Sequence, residues 1–84
     1  MRRHGRKDGN HAELERVLRQ LGYLVFDCSA VGDGFPDLTV CRAGRVQLLE
    51  VKAPGGTLTA EQQRFMQLGW PVTIVRSLDD LVAL

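Results

Sequence analysis

Residues 36–52 read PDLTVCRAGRVQLLEVK, which predicts two strands joined by a tight turn. Residues 46–51 are a nearly unbroken apolar run of strand length, a pattern typical of an internal strand. An alanine-glycine pair at 43–44 precedes this run, and we predict the turn there. With a two-residue or four-residue loop at this point, Asp37 lies directly opposite Glu50. A three-residue loop would move Asp37 away from Glu50, so this prediction depends on the register.

Charged groups gather on one face of the predicted hairpin. Glu50 and Lys52 are two residues apart, so the alternation of a strand sends both side chains to the same face. In the predicted register Asp37 joins them, and two carboxylates directly opposite each other destabilise a sheet. A positive group must compensate for them. It is either Lys52 alone or a divalent metal ion, Mg²⁺ or Mn²⁺, held by both carboxylates.

Four short motifs resemble those of the virus-type replication-repair nuclease (VRR-NUC) domain of the restriction-endonuclease-like superfamily, whose signature is Pro-Asp…(Asp/Glu)-x-Lys. They are GFPDL at 34–38, LEVK at 49–52, LTAEQ at 58–62 and the glutamate-bearing NHAEL at 10–14. The resemblance implies an α/β fold with an α-β-β-β-α-β(-α) core, in which helices flank a four-stranded mixed sheet. It also implies a divalent-metal-dependent DNA endonuclease, an enzyme that hydrolyses phosphodiester bonds.

The resemblance assigns roles to particular residues. Asp37 and Glu50 hold Mg²⁺ or Mn²⁺, with the Val51 backbone carbonyl and Glu13 as further ligands. Lys52 contacts the attacking water or the scissile phosphate, and whether it also deprotonates the water stays open. The implied catalytic residues are Glu13, Asp37, Glu50, Lys52 and Gln62.

Glu13 also has a structural explanation. Residues 10–21 have the apolar spacing of a helix that Gly22 ends, and Asn10 is a good N-cap. Glu13, three residues after Asn10, completes a capping-box pattern. The resemblance instead brings Glu13 to the metal, while Glu15 pairs with an arginine on the exposed side of the helix. We favour the metal role for Glu13, and the two roles can partly coexist.

Gln62 has the same two explanations. Thr59 is a predicted N-cap for a helix over residues 60–68, and Gln62 stands three residues later as its capping-box partner. In the resembled family the glutamine of this motif lies near the active site, where it orients water or phosphate as an uncharged hydrogen-bonding partner.

The other elements follow from local patterns. Residues 23–28 and 72–75 are predicted strands, and the second pairs in parallel with an earlier strand because it follows a crossover helix. Ser77 is the predicted N-cap of a last helix. The apolar stripes of the first and last helices are Leu14, Val17, Leu18 and Leu21, and Leu78, Leu81 and Val82. Trp70 either packs within the domain or lies at a dimer contact.

Length and composition limit the number of domains and the classes of protein to which the chain can belong. A chain of 84 residues with a net charge of +1 fits one small domain, which we place at residues 10–84. Residues 1–9 form a basic arm that is either a solvated terminus or a DNA-phosphate contact through Arg2, Arg3, Arg6 and Lys7. No apolar run suggests a membrane span or a signal peptide, so we expect a cytoplasmic protein, in the host cytoplasm if phage-encoded. Cys28 and Cys41 fit buried thiols in strands.

The expected partner is DNA, and the expected assembly is a homodimer. Stand-alone members of the resembled family are associated with phage and bacterial replication and repair, and resemble structure-selective nucleases that resolve four-way (Holliday) junctions as homodimers. Two protomers supply two active sites for two strands. Three alternatives stay open: a flap or nicking nuclease, a non-catalytic DNA-binding module in which the acidic and basic groups form only salt bridges, and a small regulatory subunit.

Overall fold

The computed structural model describes residues 10–84, and the predicted arm at residues 1–9 lies outside that range. The elements follow the predicted order α-β-β-β-α-β-α. They are α1 (His11–Gln20), β1 (Leu24–Asp27), β2 (Leu38–Arg42), β3 (Arg45–Val51), α2 (Ala60–Gln67), β4 (Val72–Val75) and α3 (Leu78–Val82). Among these residues no helix is long and apolar enough to cross a membrane.

The four strands form one mixed sheet in the order β1-β2-β3-β4. β2 and β3 are antiparallel with Leu38 opposite Leu49, which is the predicted register. Ala43 and Gly44 both have positive φ, as the type I′ turn of a two-residue hairpin loop requires. β4 pairs in parallel with β3 after the α2 crossover, so β3 is internal and its apolar sequence is explained.

One face of the sheet carries the core beneath α1 and α3. The buried apolar residues of the two helices and of the sheet form a single cluster, whose members are Leu14, Leu18, Tyr23, Leu38, Val40, Leu49, Val51, Val75 and Leu81. Because side chains alternate along a strand, Glu50 lies between Leu49 and Val51 but faces the other side of the sheet. The sheet therefore separates the core from the predicted charged site.

Gly34 lets α2 approach the loop before β2. Its φ is +80°, and a Cβ at this position would overlap the backbone carbonyl of Glu61 at the start of α2. Glycine is therefore required both by the backbone conformation and by the contact. This close approach brings the first turn of α2 beside the start of β2, which is where Asp37 lies.

The predicted apolar stripe of α1 is wrong at its end. Leu21 is 41% exposed, whereas Tyr23 is buried, because α1 ends at Gln20 and the chain turns through Gly22 (φ 94°). The polar residue His11 is buried instead, at 1% exposure. The stripe of α3 is also shorter than predicted: only Leu81 is buried, and Leu78 and Val82 are exposed.

The predicted capping box of α1 is absent. Asn10 is the N-cap, but its side chain makes no capping hydrogen bond; Nδ2 donates instead to the carbonyl of Arg76, 3.1 Å away. Glu15 does pair with Arg19 at 3.4 Å, yet the Glu15 side chain is only 12% exposed, so that pair is not on the fully solvated side as predicted. The Asn10 side chain is thus held by a residue that follows β4, distant in sequence, and not by the first turn of α1.

Candidate active site

Asp37 is fixed by hydrogen bonds to the strands on either side of it. Its carbonyl accepts from the N–H of Cys28, after β1, at 2.7 Å. Its carboxylate oxygen Oδ2 accepts from the backbone N–H of Val51 in β3 at 2.9 Å. The preceding residue, Pro36, is buried and restricts the entry into β2. The orientation of the Asp37 carboxylate is thus set largely by backbone groups.

Glu50 is the residue at which the site converges. It is 3% exposed, and its Oε2 accepts a hydrogen bond from Nε2 of Gln62 at 2.8 Å. The same oxygen lies 3.7 Å from Nζ of Lys52, whose side chain is 15% exposed. A proton on Glu50 also lets its carboxyl hydrogen bond with Asp37. Three side chains, those of Asp37, Lys52 and Gln62, therefore meet at the carboxyl group of Glu50.

The electrostatics of this group are unfavourable to two ionised carboxylates. Burial, and after it the charge of Asp37 and a hydrogen bond with Asp37, together raise the pKa of Glu50 from 4.5 to about 8. The ammonium of Lys52 lowers that pKa but does not cancel the effect. A proton on Glu50 thus relieves the repulsion between the two carboxylates. Two facing carboxylates of this kind are the oxygen donors that Mg²⁺ and Mn²⁺ prefer.

The chain around Lys52 is held by β4 and the residue that follows it. The Lys52 N–H donates to the carbonyl of Val75 at 3.0 Å. The next loop is held by Arg76, whose Nη1 donates to the carbonyls of Ala53 at 3.1 Å and Gly56 at 2.6 Å. Sequence reasoning assigned no role to Arg76, and no local motif identifies it, because its partners are distant along the chain.

Gln62 combines the two roles that its position predicts. Its Oε1 accepts from the N–H of Thr59 at 2.9 Å, and its own N–H donates to Oγ1 of Thr59 at 3.1 Å, so the predicted capping box is confirmed. With the amide oxygen held by Thr59, Nε2 is left to face Glu50. The cap therefore determines which end of the amide enters the site.

The remaining predicted site residues are not among the side chains that meet at Glu50. The Glu13 side chain is 55% exposed and lies 3.7 Å from Arg16, which is itself 59% exposed. Val51 is buried, and the ligand role of its carbonyl stays a prediction, as does the metal role of Glu13. The predicted DNA contacts Arg2, Arg3, Arg6 and Lys7 lie outside the described residues.

A second polar cluster lies where α1 meets β1. His11, Glu15 and Asp27 bring one ligand atom each to within 4.8 Å of one another. The signal available in the sequence was the His-x-x-x-Glu spacing, which puts both side chains on one face of a helix. It was missed because Glu15 was assigned to the pair with Arg19 and His11 to no role.

Comparison with known proteins identifies the domain. The family model of the VRR-NUC domain matches residues 7–69, which is most of the 84-residue chain and includes every residue of the Glu50 cluster. Neither a curated protein nor a solved structure matches the chain.

Proposed function

The chain belongs to the VRR-NUC family, and on this premise we propose that it is a divalent-metal-dependent, structure-selective DNA endonuclease. The observation that carries the proposal is the convergence of Asp37, Lys52 and Gln62 on the buried carboxyl of Glu50. This set contains two oxygen donors for a metal, one cation and one neutral hydrogen-bond donor. Phosphodiester hydrolysis needs an activated water and stabilisation of charge on the phosphate, and these groups suit both needs.

The donor set fits Mg²⁺ or Mn²⁺. Asp37 and Glu50 would hold the ion, because their carboxylates face each other and a bound cation would offset the burial and mutual repulsion that raise the pKa of Glu50. When bound, such an ion lowers the pKa of a coordinated water and polarises the phosphate. The Val51 carbonyl is a further ligand by family resemblance. Glu13 would join only after leaving Arg16 and turning from solvent, so we assign the ion first to Asp37 and Glu50.

Lys52 and Gln62 serve the substrate side of this site. The Lys52 ammonium lies beside Glu50 and is partly exposed, so it can contact the scissile phosphate or the attacking water. Gln62 donates to Glu50 from a capped, fixed amide, and it orients that carboxylate. The first turn of α2, which begins beside Gln62, would offer the positive end of its helix dipole to an incoming phosphate.

We further propose a homodimer that cuts branched DNA, of the Holliday-junction-resolving type and with a role in phage or bacterial replication or repair. Support for self-association comes from the sheet face opposite the core. Leu24 and Phe26 of the edge strand β1 are 73% and 70% exposed, and Val46 of β3 is 61% exposed. Leu24 and Val46 both pair with Cys41, so this apolar patch is continuous across three strands. Exposed patches of this kind mark association surfaces, and we assign a second copy to it.

The chemistry is tested by a cleavage assay on labelled DNA. A four-way junction is compared with a flap, a nicked duplex, a linear duplex and a single strand, each with Mg²⁺, Mn²⁺ or EDTA. We expect paired, metal-dependent cuts in the junction that Lys52→Ala abolishes and Arg45→Ala, at the far end of β3, leaves in place. Cuts confined to flaps or nicks would support nuclease activity but contradict the four-way junction as the substrate. No cleavage by folded protein that still binds DNA would contradict the nuclease and favour a binding module.

The dimer is tested separately by sedimentation. Phe26→Ser is expected to shift a wild-type dimer toward monomer, whereas Leu68→Ser, which removes an equally exposed leucine in the turn after α2, is expected to leave it unchanged. A wild-type protein that sediments as a monomer at every accessible concentration contradicts the dimer and leaves the cleavage chemistry as a separate question.

A further inference from the structure

The first turn of α1 buries a histidine against a carboxylate. His11 is 1% exposed, and its Nε2 lies 2.8 Å from Oε2 of Glu15, one turn further along the helix. The Glu15 side chain is itself only 12% exposed. An imidazole nitrogen and a carboxylate oxygen are therefore held together at the inner side of α1.

The bonding of His11 is incomplete within the described part of the chain. Although Nε2 lies close to Glu15, their arrangement does not have hydrogen-bond geometry, and Nε2 is a buried polar atom without a hydrogen bond. The only other such side-chain atom within residues 10–84 is Oδ1 of the adjacent Asn10. A buried polar atom without a hydrogen bond costs stability, and a bound cation would give this one a partner.

Asp27 supplies a third donor at the end of β1. Its ligand oxygen lies within 4.8 Å of those of His11 and Glu15. Its Oδ1 accepts from the N–H of Ser29 at 2.8 Å and from the Ser29 hydroxyl at 2.7 Å, so the exposed carboxylate is held in one orientation. The cluster thus combines two inward-facing donors on α1 with an exposed carboxylate at the end of β1.

The donor types and spacing match a transition metal. With metal-ligand bonds of about 2.1 Å, neighbouring ligand atoms on one ion are roughly 3 Å apart, and opposite ones about 4 Å apart. His11 Nε2 and Glu15 Oε2 are 2.8 Å apart, and the third ligand atom, within 4.8 Å of both, reaches that range after a small side-chain movement. One imidazole with two carboxylates suits Mn²⁺, Fe²⁺ or Zn²⁺, whereas Mg²⁺ and Ca²⁺ prefer oxygen donors alone.

We propose that His11, Glu15 and Asp27 form a second metal site, which binds a divalent transition-metal ion and ties α1 to β1. Val25, two residues before Asp27, packs against the core, so Asp27 faces the α1 side of the sheet. Asp37 and Glu50 face the side on which α2 lies. The two sites therefore lie on opposite faces of the sheet at the same end, and the second one does not depend on the nuclease proposal.

The test uses the metal alone and a full-length background in which the first site is disabled. The Asp37→Asn/Glu50→Gln double variant is titrated with Zn²⁺ and with Mn²⁺ by calorimetry, while nitrogen-15 NMR follows the His11 ring. We expect one ion per chain, a shift of the His11 Nε2 resonance on Zn²⁺ binding and a higher Tm. Mg²⁺ at the same concentration is expected to produce neither change.

Matched variants in that background separate a site from a simple ion pair. Asp27→Asn and Glu15→Gln are each expected to weaken binding roughly tenfold or more, whereas Asp79→Asn, which also removes an exposed aspartate, is expected to leave it unchanged. Because Asp27 is exposed, its variant is expected to fold, and it tests the metal site even where a substitution of the buried His11 impairs folding. Absence of Zn²⁺ and Mn²⁺ binding by the folded double variant, or equal binding by the Asp27 and Asp79 variants, would overturn the proposal and leave His11 and Glu15 as an internal ion pair.

Discussion

The Asp37–Glu50 site and the His11–Glu15–Asp27 cluster contain similar chemical groups but are built differently. In the first, a backbone N–H of β3 orients Asp37, and a helix cap orients the amide that reaches Glu50. In the second, side chains of one helix meet the end of one strand, and Nε2 of the buried histidine has no hydrogen bond within residues 10–84. The first kind of site can be predicted from the sequence, because strand register determines which residues face each other. The second kind cannot, because it depends on how a helix packs against the sheet.

The largest expected effect is a loss of DNA cleavage from a substitution in the Asp37–Glu50 site that the matching substitution in the His11–Glu15–Asp27 cluster does not cause. Asp37→Asn removes a carboxylate from the proposed cutting site, and we expect junction cleavage in saturating Mg²⁺ to fall by about 10³-fold or more. Asp27→Asn removes the same group from the α1 cluster and is expected to retain cleavage within about threefold at 25 °C. Initial rates measured on one labelled junction check both values. Equal losses in the two variants would show that the regions act as one site.

The next effect concerns stability and pH. Folding raises the pKa of Glu50 from 4.5 to about 8, so between these values the folded chain holds a proton that the unfolded chain has lost. In EDTA, unfolding free energy is therefore expected to fall as pH rises from 4.5 to about 8, by an amount on the order of a few kcal/mol. Glu50→Gln is expected to remove most of this fall. Urea unfolding at several pH values measures it, and a wild-type profile identical to that of the variant would contradict the strained carboxyl pair.

A smaller effect is expected at Gln62. Gln62→Ala removes both the capping interaction with Thr59 and the donor to Glu50, so we expect about 1 kcal/mol lower stability and roughly tenfold slower cleavage. Gln63→Ala is the matched control, since that exposed neighbour donates to the carbonyl of Leu58 instead. Denaturation and cleavage are measured on both proteins. A Gln62→Ala enzyme that loses stability but cleaves at the wild-type rate would limit this residue to capping.

The smallest effect is expected at Glu13. Its side chain is more than half exposed and paired with Arg16, and exposed pairs contribute little to stability. We expect Glu13→Gln to change Tm by about 1 °C or less and to reduce cleavage by no more than about threefold. A loss comparable to that of Asp37→Asn would show that Glu13 turns into the metal site when DNA and metal bind, as the family resemblance implied.

The sequence was sufficient where local rules determine geometry. The alanine-glycine turn and the alternation of β3 correctly predicted the β2–β3 register, and Thr59 with Gln62 correctly predicted the start of α2. Those rules involve neighbours in the chain or a hairpin with one short loop. The position of Lys52 beside Glu50 followed from the same alternation.

The sequence was insufficient where distant segments compete for a side chain. Asparagine is a residue type that favours the N-cap, and Asn10 stands at that position. Its side-chain amide instead donates to the carbonyl of Arg76, and the predicted capping box does not form. The burial of His11 in place of Leu21 depends on how α1 is rotated against the sheet, which the apolar periodicity does not determine. Tertiary contacts therefore decided which face of α1 carries polar chemistry.

The most direct test of the central claim is a carbon-13 NMR titration of the Glu50 side-chain carboxyl in the full chain, assigned with Glu50→Gln. Without divalent metal, we predict a midpoint near pH 8, a lower one in Asp37→Asn, and a carboxylate that stays ionised well below that pH when Mg²⁺ is saturating. A midpoint near 4.5 in the metal-free protein, unmoved by Mg²⁺ and by Asp37→Asn, would contradict a shared metal-binding carboxyl pair.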